Sequence, residues 1–177
     1  MSRARDDMRL LIGQDSAGNA HPLRTDANGR LEVLSLRPVV EARVFNSANL
    51  SIPNTTLTVL TYDSELTDTD GMHDLAVNPG RLTCKVAGKY LIGGNVLFYP
   101  NATGPRAIQI RHNGSGVIAL VQASLVSGTD TEGLSLVTIY TLALNDYVEL
   151  LAYQVSGGAL NAMYVAAYSP VFWAVML

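Results

Sequence analysis

From Glu41 to Leu177 the chain is a succession of short runs rich in Val, Ile, Leu, Thr and Tyr, each closed by Gly, Asn, Asp or Pro. No ten-residue window in this stretch combines a 3.6-residue apolar period with a cap at both ends, so helix is disfavoured throughout. Regular short strands with turn chemistry between them leave a sandwich or a barrel as the available architecture. Strands are predicted over 42–46, 56–62, 81–86, 88–98, 107–112, 117–123, 135–142, 147–155, 162–168 and 172–177. The fold class is all-β.

Residues 1–40 follow another grammar. They carry six Lys/Arg and five Asp/Glu and two copies of one turn pattern, Asp15-Ser-Ala-Gly-Asn19 and Asp26-Ala-Asn-Gly-Arg30. Asn28-Gly29 suits a tight hairpin, because both residues tolerate φ > 0. The flanking pieces, 10–13, 21–25 and 30–36, read as short strands of a small β-meander. Such a meander buries too little surface to stand alone. Its apolar side chains Leu11, Ile12, Leu23, Leu31 and Val33 are therefore candidates for anchoring it to a larger body. Residues 1–9 are polar and expected to be unstructured when free. Arg37-Pro38 marks the boundary, giving an N-terminal arm (1–40) and a globular domain (41–177).

Alternation within the strands carries a second message. Along 147–155 one face presents Tyr147, Glu149, Leu151, Tyr153 and Val155, and the other Val148, Leu150, Ala152 and Gln154. A half-exposed strand of a lone sandwich keeps one polar face, yet both faces here are mostly apolar, as they are in 94–98 and 171–177. Two readings stand: a strand covered by loops of its own chain, or a sheet whose outer face packs against a symmetry mate. Only 15% of residues are charged against 48% hydrophobic, which favours burial between subunits. The candidate core and interface side chains are Tyr90, Ile92, Phe98, Tyr147, Leu151, Tyr153, Phe172 and Trp173.

A spaced set of residues then carries a family resemblance. Asp70, Leu75, Leu82 and Gly88-Lys-Tyr90 fall at the intervals of the C1q/TNF-like jelly-roll pattern, which ends in Gly-x-Tyr-x-Phe-x-aromatic. Asp70, Leu75, Gly88 and Tyr90 match it. Ser64 stands in place of its first aromatic, Leu82 and Ile92 in place of its two Phe, and Gly94 in place of its last aromatic. Ala42-Arg-Val-Phe45 resembles the family's first strand. Leu144-Asn-Asp-Tyr-Val-Glu-Leu150 resembles its "Gly-Asp, Val, x, Leu" step, with Asn145 where Gly is usual. The tail from Tyr168 to Leu177 resembles the closing strand. The resemblance spans 41–177 and implies a jelly-roll sandwich of two antiparallel sheets that works as a homotrimer and binds rather than catalyses.

Residues 11–33 resemble segments of tailed-bacteriophage structural proteins. Together the two resemblances imply a virion protein, made in the host cytoplasm. It would decorate and stabilise the capsid or tail, with residues 1–40 contacting the major capsid protein or other virion proteins. The alternative is a host-receptor or carbohydrate-binding adhesin module, with Tyr99, Tyr164 or Tyr168 exposed toward host surface glycans.

Other classes are disfavoured from the residues. A net charge of −3 without a basic block gives no attraction to nucleic acid. No apolar run reaches the roughly 18 residues of a membrane helix, and the N-terminus lacks a signal-peptide apolar core. The single Cys84 excludes an internal disulfide and reads as a small buried hydrophobe. The Asn-x-Ser/Thr triplets at Asn49, Asn54, Asn101 and Asn113 read as turns. His21, His73 and His112 lack metal-ligand spacing, and no nucleophile elbow or phosphate loop occurs. His73 reads as a surface-loop residue, with pairing to Asp74 as the catalytic alternative. No catalytic or cofactor-binding residue is assigned. Among Asp63, Glu65, Asp68, Asp70 and Asp74, the pair Asp68 and Asp70 is the one Ca²⁺ candidate, set against a solvated acidic loop.

Overall fold

The computed structural model describes residues 12–14, 20–22, 24, 25, 28, 31, 32 and 39–177 except 125–129 and 167. The chain divides into two compact units, Met1–Pro38 and Val39–Leu177. In the first, β1 (Ile12–Gln14) pairs with β2 (Ala20–Pro22), and β3 (Arg24–Thr25) pairs with β4 (Leu31–Glu32) around Asn28. Among the described residues these form two two-stranded antiparallel ladders. Pro22 closes β2 and has no N–H to pass the ladder on. Of the candidate anchoring residues, Leu11, Leu23 and Val33 lie outside the described residues, and Ile12 and Leu31 fall in β1 and β4.

The second unit contains no helix among its described residues. Its strands are β5 (Glu41–Phe45), β6 (Leu50–Ile52), β7 (Thr58–Val59), β8 (Ser64–Asp68), β9 (Arg81–Thr83) and β10 (Gly88–Phe98). They continue with β11 (Arg106–His112), β12 (Gly116–Ala123), β13 (Glu132–Leu142), β14 (Tyr147–Gln154), β15 (Leu160–Ala162) and β16 (Val171–Met176). The front sheet runs β13-β10-β16-β5-β8, with β15 and β6 continuing from the far end of β10 at Phe98. The back sheet runs β12-β11-β14, and β9 and β7 share the remaining edge of β14. All pairings are antiparallel and the strand order is non-sequential, as in a jelly roll.

The two sheets close on one apolar core. β10 lies at its centre, sending Tyr90, Ile92, Val96 and Phe98 inward against Ile108, Ile110, Leu150 and Phe172. Truncating a buried Phe such as Phe98 or Phe172 to Ala costs about 3–5 kcal/mol. Gly94 also faces inward: a Cβ there would stand 2.7 Å from Leu150 Cδ2 and 2.8 Å from the Val171 carbonyl oxygen. Leu150 and Phe172 thus fill the volume an aromatic at this position would need, which accounts for the departure from the family pattern.

Turn chemistry follows the residue types. Asn145, standing where the pattern has Gly, adopts φ +70°, the left-handed region that Asn tolerates better than most residues. Next to it, Asp146 Oδ2 accepts the Ala143 N–H at 2.8 Å and Oδ1 accepts Asn113 Nδ2–H at 2.8 Å. The β11–β12 and β13–β14 turns are clasped together by this pair. The bonds from Asn113 and the Ala143 backbone hold the Asp146 carboxyl below its ordinary pKa. Cys84 is buried as expected, and burial pushes its thiol pKa up. The Tyr90 hydroxyl donates to the Val86 carbonyl at 2.6 Å and is fully enclosed. Its polar partner is internal to the chain rather than at a rim or interface.

Candidate functional site

The outward side of the front sheet is the most unusual surface of the described molecule. Register places Leu91 between Val175 and Ile139, Gly93 between Trp173 and Val137, and Asn95 between Val171 and Ser135. β5 extends these rows with Glu41, Arg43 and Phe45 opposite Val175, Trp173 and Val171. Val137 and Ile139 are 59% and 57% exposed, and Leu91, Trp173 and Val175 are half-buried. A Cβ on Gly93 would stand 2.4 Å from Trp173 Cζ2, so the indole lies across this glycine. Leu91, Val137, Ile139, Trp173 and Val175 therefore form one contiguous apolar patch. Charge is met only at its margins, at Lys89, Glu41 and Arg43. Beside Trp173 an open groove of about 620 Å³ runs between Arg43, Leu66 and Val175.

The outward side of the back sheet is built differently. Glu149, the third residue of β14, is buried, and its two oxygens are both engaged. Oε1 accepts Arg81 Nε–H at 3.0 Å, and Oε2 accepts Arg111 Nε–H at 3.1 Å and Nη2–H at 2.9 Å. The Arg81 guanidinium covers the Tyr147 ring at 3.9 Å from its centroid. Gln109 and Leu151 are buried on this same side. For β14, then, the structure favours the strand covered within its own chain over the strand awaiting a symmetry mate.

The eight side chains expected at core or interface are thus dispersed. Tyr90, Ile92, Phe98 and Phe172 lie between the sheets, where no second copy reaches them. Tyr147 lies under Arg81, Leu151 is buried, and Tyr153 is half-buried on the back sheet. Trp173 alone of the eight lies on the front patch. Four patch members went unnamed: Leu91, Val137, Ile139 and Val175. The signal for two of them stands in Leu136-Val-Thr-Ile-Tyr140, where inward Leu136 and Tyr140 alternate with equally apolar outward Val137 and Ile139.

The acidic segment is dispersed as well. Asp68 accepts the N–H groups of Asp70 and Met72 on Oδ1 and that of His73 on Oδ2, so it folds the loop after β8. Asp74 caps its own turn at Ala76 and Val77, and Asp63 binds Ser47 and Ser64. Among the described residues no three His, Cys, Asp or Glu side chains gather into a metal cage. His73 is buried rather than a surface-loop residue, and its partner is Glu65 (Nδ1 to Oε1, 2.8 Å), not Asp74. Its Nε2 faces the Pro79 carbonyl at 3.0 Å. Edge strand β8 is thereby tied to the loop that follows it.

Exposed aromatics gather at the far end of β10. Tyr99, Tyr164 and Tyr168 are 40%, 38% and 56% exposed. Asn49 joins the first two: its Oδ1 accepts the Tyr164 N–H at 2.7 Å and its Nδ2–H reaches Tyr99 Oη at 3.3 Å. Asn95 Nδ2 donates to the Tyr168 carbonyl.

Comparison with known proteins bears on the fold. No protein-family model matches the chain, and no curated protein matches its sequence. Solved structures do match. Murine APRIL superposes with a TM-score of 0.59 at 10% identity, over 78% of this chain and 99% of that one. Eiger TNF from S. frugiperda gives 0.58 at 12% identity, over 80% and 94%. The globular domain of zebrafish complement 1qA gives 0.55 at 15% identity, over 78% and 97%. At such identities the likeness speaks for the fold alone, and the chain folds as a TNF/C1q-like jelly-roll sandwich of two antiparallel sheets.

Proposed function

We propose that the domain assembles as a homotrimer through the outer face of its front sheet and acts as a non-enzymatic structural module. The observation that carries this reading is the contiguous apolar patch of Leu91, Val137, Ile139, Trp173 and Val175 on the front sheet, whereas on the opposite face ion pairs of the chain cover Glu149 and Tyr147. Such a contiguous patch on a monomer is an aggregation liability, and a defined self-association removes it. The number three comes from the resemblance to C1q/TNF-like domains. Light scattering of the full-length chain tests it: a mass three times the 18.9 kDa of one chain is expected, and a stable monomer at micromolar concentration overturns it.

The proposal extends to a place of work. The protein decorates and stabilises a tailed-bacteriophage particle, at capsid or tail, with residues 1–40 contacting other virion proteins. This is supported by the resemblance of residues 11–33 to phage structural segments and by the division of the chain at Pro38 and Val39. Mass spectrometry of purified virions is the test. The chain should be present in stoichiometric amounts, and its absence removes the virion reading while leaving the trimer untouched.

A further inference from the structure

The Asn-Gly-Ser triplet at Asn113 builds more than a turn. His112-Asn113-Gly114-Ser115 closes β11 onto β12, with the Ser115 N–H donating to the His112 carbonyl at 3.2 Å. Asn113 and Gly114 both take positive φ, +47° and +77°, as a two-residue hairpin loop of this hand requires. A Cβ on Gly114 would stand 2.8 Å from Tyr147 Oη, so the tyrosine hydroxyl crowds any other residue there. Asn113 is exposed, yet its side chain is held at both ends of the amide. Nδ2–H donates to Asp146 Oδ1 at 2.8 Å, and Oδ1 accepts the Tyr147 N–H at 2.9 Å. The Asn113 backbone N–H donates to the Tyr147 carbonyl at 2.9 Å.

An asparagine followed by glycine carries its own chemistry. The glycine nitrogen has no side chain beside it as a shield, and it attacks the asparagine Cγ. The new N–Cγ bond closes a five-membered succinimide, the Cγ–Nδ2 bond breaks, and ammonia leaves with the proton that the glycine nitrogen gives up. Water then opens the ring at either carbonyl and leaves aspartate or isoaspartate, with no oxidant or cofactor consumed. Ring closure needs Cγ to swing over the next residue's nitrogen. At Asn113 both amide atoms are instead pinned to residues 146 and 147, one of them by a charge-assisted bond, so both bonds must break first. Asn28-Gly29, the other such pair in the chain, belongs to the first unit. Once formed, the product does not fit the place of its parent. Aspartate sets a carboxylate oxygen where Nδ2 now meets Asp146 Oδ1, with no proton between the two. Isoaspartate adds a methylene to the backbone of a two-residue turn.

We propose that Asn113 is a one-way modification site, deamidated through a succinimide with the Gly114 nitrogen and gated by the clasp to Asp146 and Tyr147. The closed clasp delays the reaction, and the reaction keeps the clasp from closing again. Neither Asn113 nor Asp146 belongs to the front-sheet patch, so the site does not depend on the trimer.

The test is incubation of the full-length protein at mildly alkaline pH, where the glycine nitrogen gives up its proton more readily. Peptide mass spectrometry then locates aspartate and isoaspartate. Asn113 should convert at least about tenfold more slowly in the folded chain than in the same chain in urea. Asp146→Ala, with its fold checked by circular dichroism, should speed conversion at Asn113 about tenfold and leave conversion at Asn28 unchanged. Glu149→Ala weakens the back face without removing the clasp, and should leave the Asn113 rate near that of the parent. The consequence is read directly from Asn113→Asp, which should unfold at a lower urea concentration than the parent. Combining it with Asp146→Asn puts the amide on the other side of the same bond, and should recover most of that loss. Conversion as fast in the folded parent as in urea overturns the proposal, as does an Asp146→Ala rate equal to the parent's. Equal acceleration by Glu149→Ala makes general unfolding the gate and overturns it too. Asn113→Asp as stable as the parent likewise overturns the one-way consequence.

Discussion

The two outer faces of the sandwich are made from strands of similar composition and differ most around β14 and β10. On the back sheet the first half of β14 carries a carboxylate that is buried and satisfied by two arginines, with Arg81 also closing over Tyr147. On the front sheet the middle of β10 carries Gly93 beneath an indole, flanked by Val137 and Ile139, which stay 59% and 57% exposed. On the back face the chain's own arginines cover Glu149 and Tyr147, although Val117 and Leu120 of β12 stay 53% and 59% exposed there; the centre of the front patch carries apolar side chains alone, and the proposed assembly would cover it. The comparison also assigns cost: a defect on the back face is paid in folding stability, and a defect on the front face in association.

The largest expected effect breaks the front face alone. Val137→Lys combined with Ile139→Lys sets like charges against one another in every copy, and desolvating each is costly. Association should weaken at least about a thousandfold, read by sedimentation or light scattering, while the thermal midpoint of the separated chain stays close to that of the parent. A variant that keeps its mass would mean that the front face is not the contact.

Next in size is the back face. Glu149→Ala leaves two guanidinium groups facing each other. Losing one partner of a buried ion pair costs about 3–5 kcal/mol, and the partial exposure of both arginines lowers this to about 2–3 kcal/mol. Urea unfolding should show that loss with no change in oligomeric mass. Equal loss of assembly would erase the division between the faces.

Gly93→Ala probes the front face from beneath. Its Cβ would press on both Trp173 Cζ2 and, at 2.9 Å, the Leu136 carbonyl oxygen. The indole must shift, at about 1–3 kcal/mol, and a red-shifted Trp173 emission with weakened association should report it.

The smallest effect belongs to neither face. Asp146 has a folded pKa below its unfolded value of about 3.9, owing first to its bond from Asn113. Its contribution is therefore complete above about pH 4 and is lost as pH falls through the folded value. Asp146→Asn should flatten that part of the acid limb in a stability–pH profile, and an unchanged profile would discount the clasp between the two turns.

Much of this architecture was legible one residue at a time. The 88–98 run is β10 to the residue, because a strand buried on one side and bounded by Gly88 and Pro100 leaves little freedom. Asn145 announced a left-handed turn residue and Cys84 a buried one. Edge strands β6 and β8 escaped notice, since Leu50-Ser-Ile52 is too short to show a period and Ser64-Glu-Leu-Thr-Asp68 is mostly polar. What alternation does not encode is whether a neighbour covers the outward set. Glu149 is sealed by Arg81, 68 positions earlier in the chain, and by Arg111. Only the folded register brings these together, so the face of β14 read as open and that of β13 passed unnoticed. The tyrosines were named as exposed aromatics, but their joining by Asn49 links positions 50 and 115 residues apart.

Trp173 is the only tryptophan in the chain, and it sits on the front patch, so its fluorescence reports the proposed contact directly. The decisive measurement is its emission and acrylamide quenching as the full-length protein is diluted through its dissociation range. A shielded, blue-shifted indole should give way on dilution to the red-shifted, readily quenched emission of the Val137→Lys/Ile139→Lys variant. An assembled protein whose Trp173 is as quenchable as in that variant would show that the copies meet elsewhere, and would contradict the account.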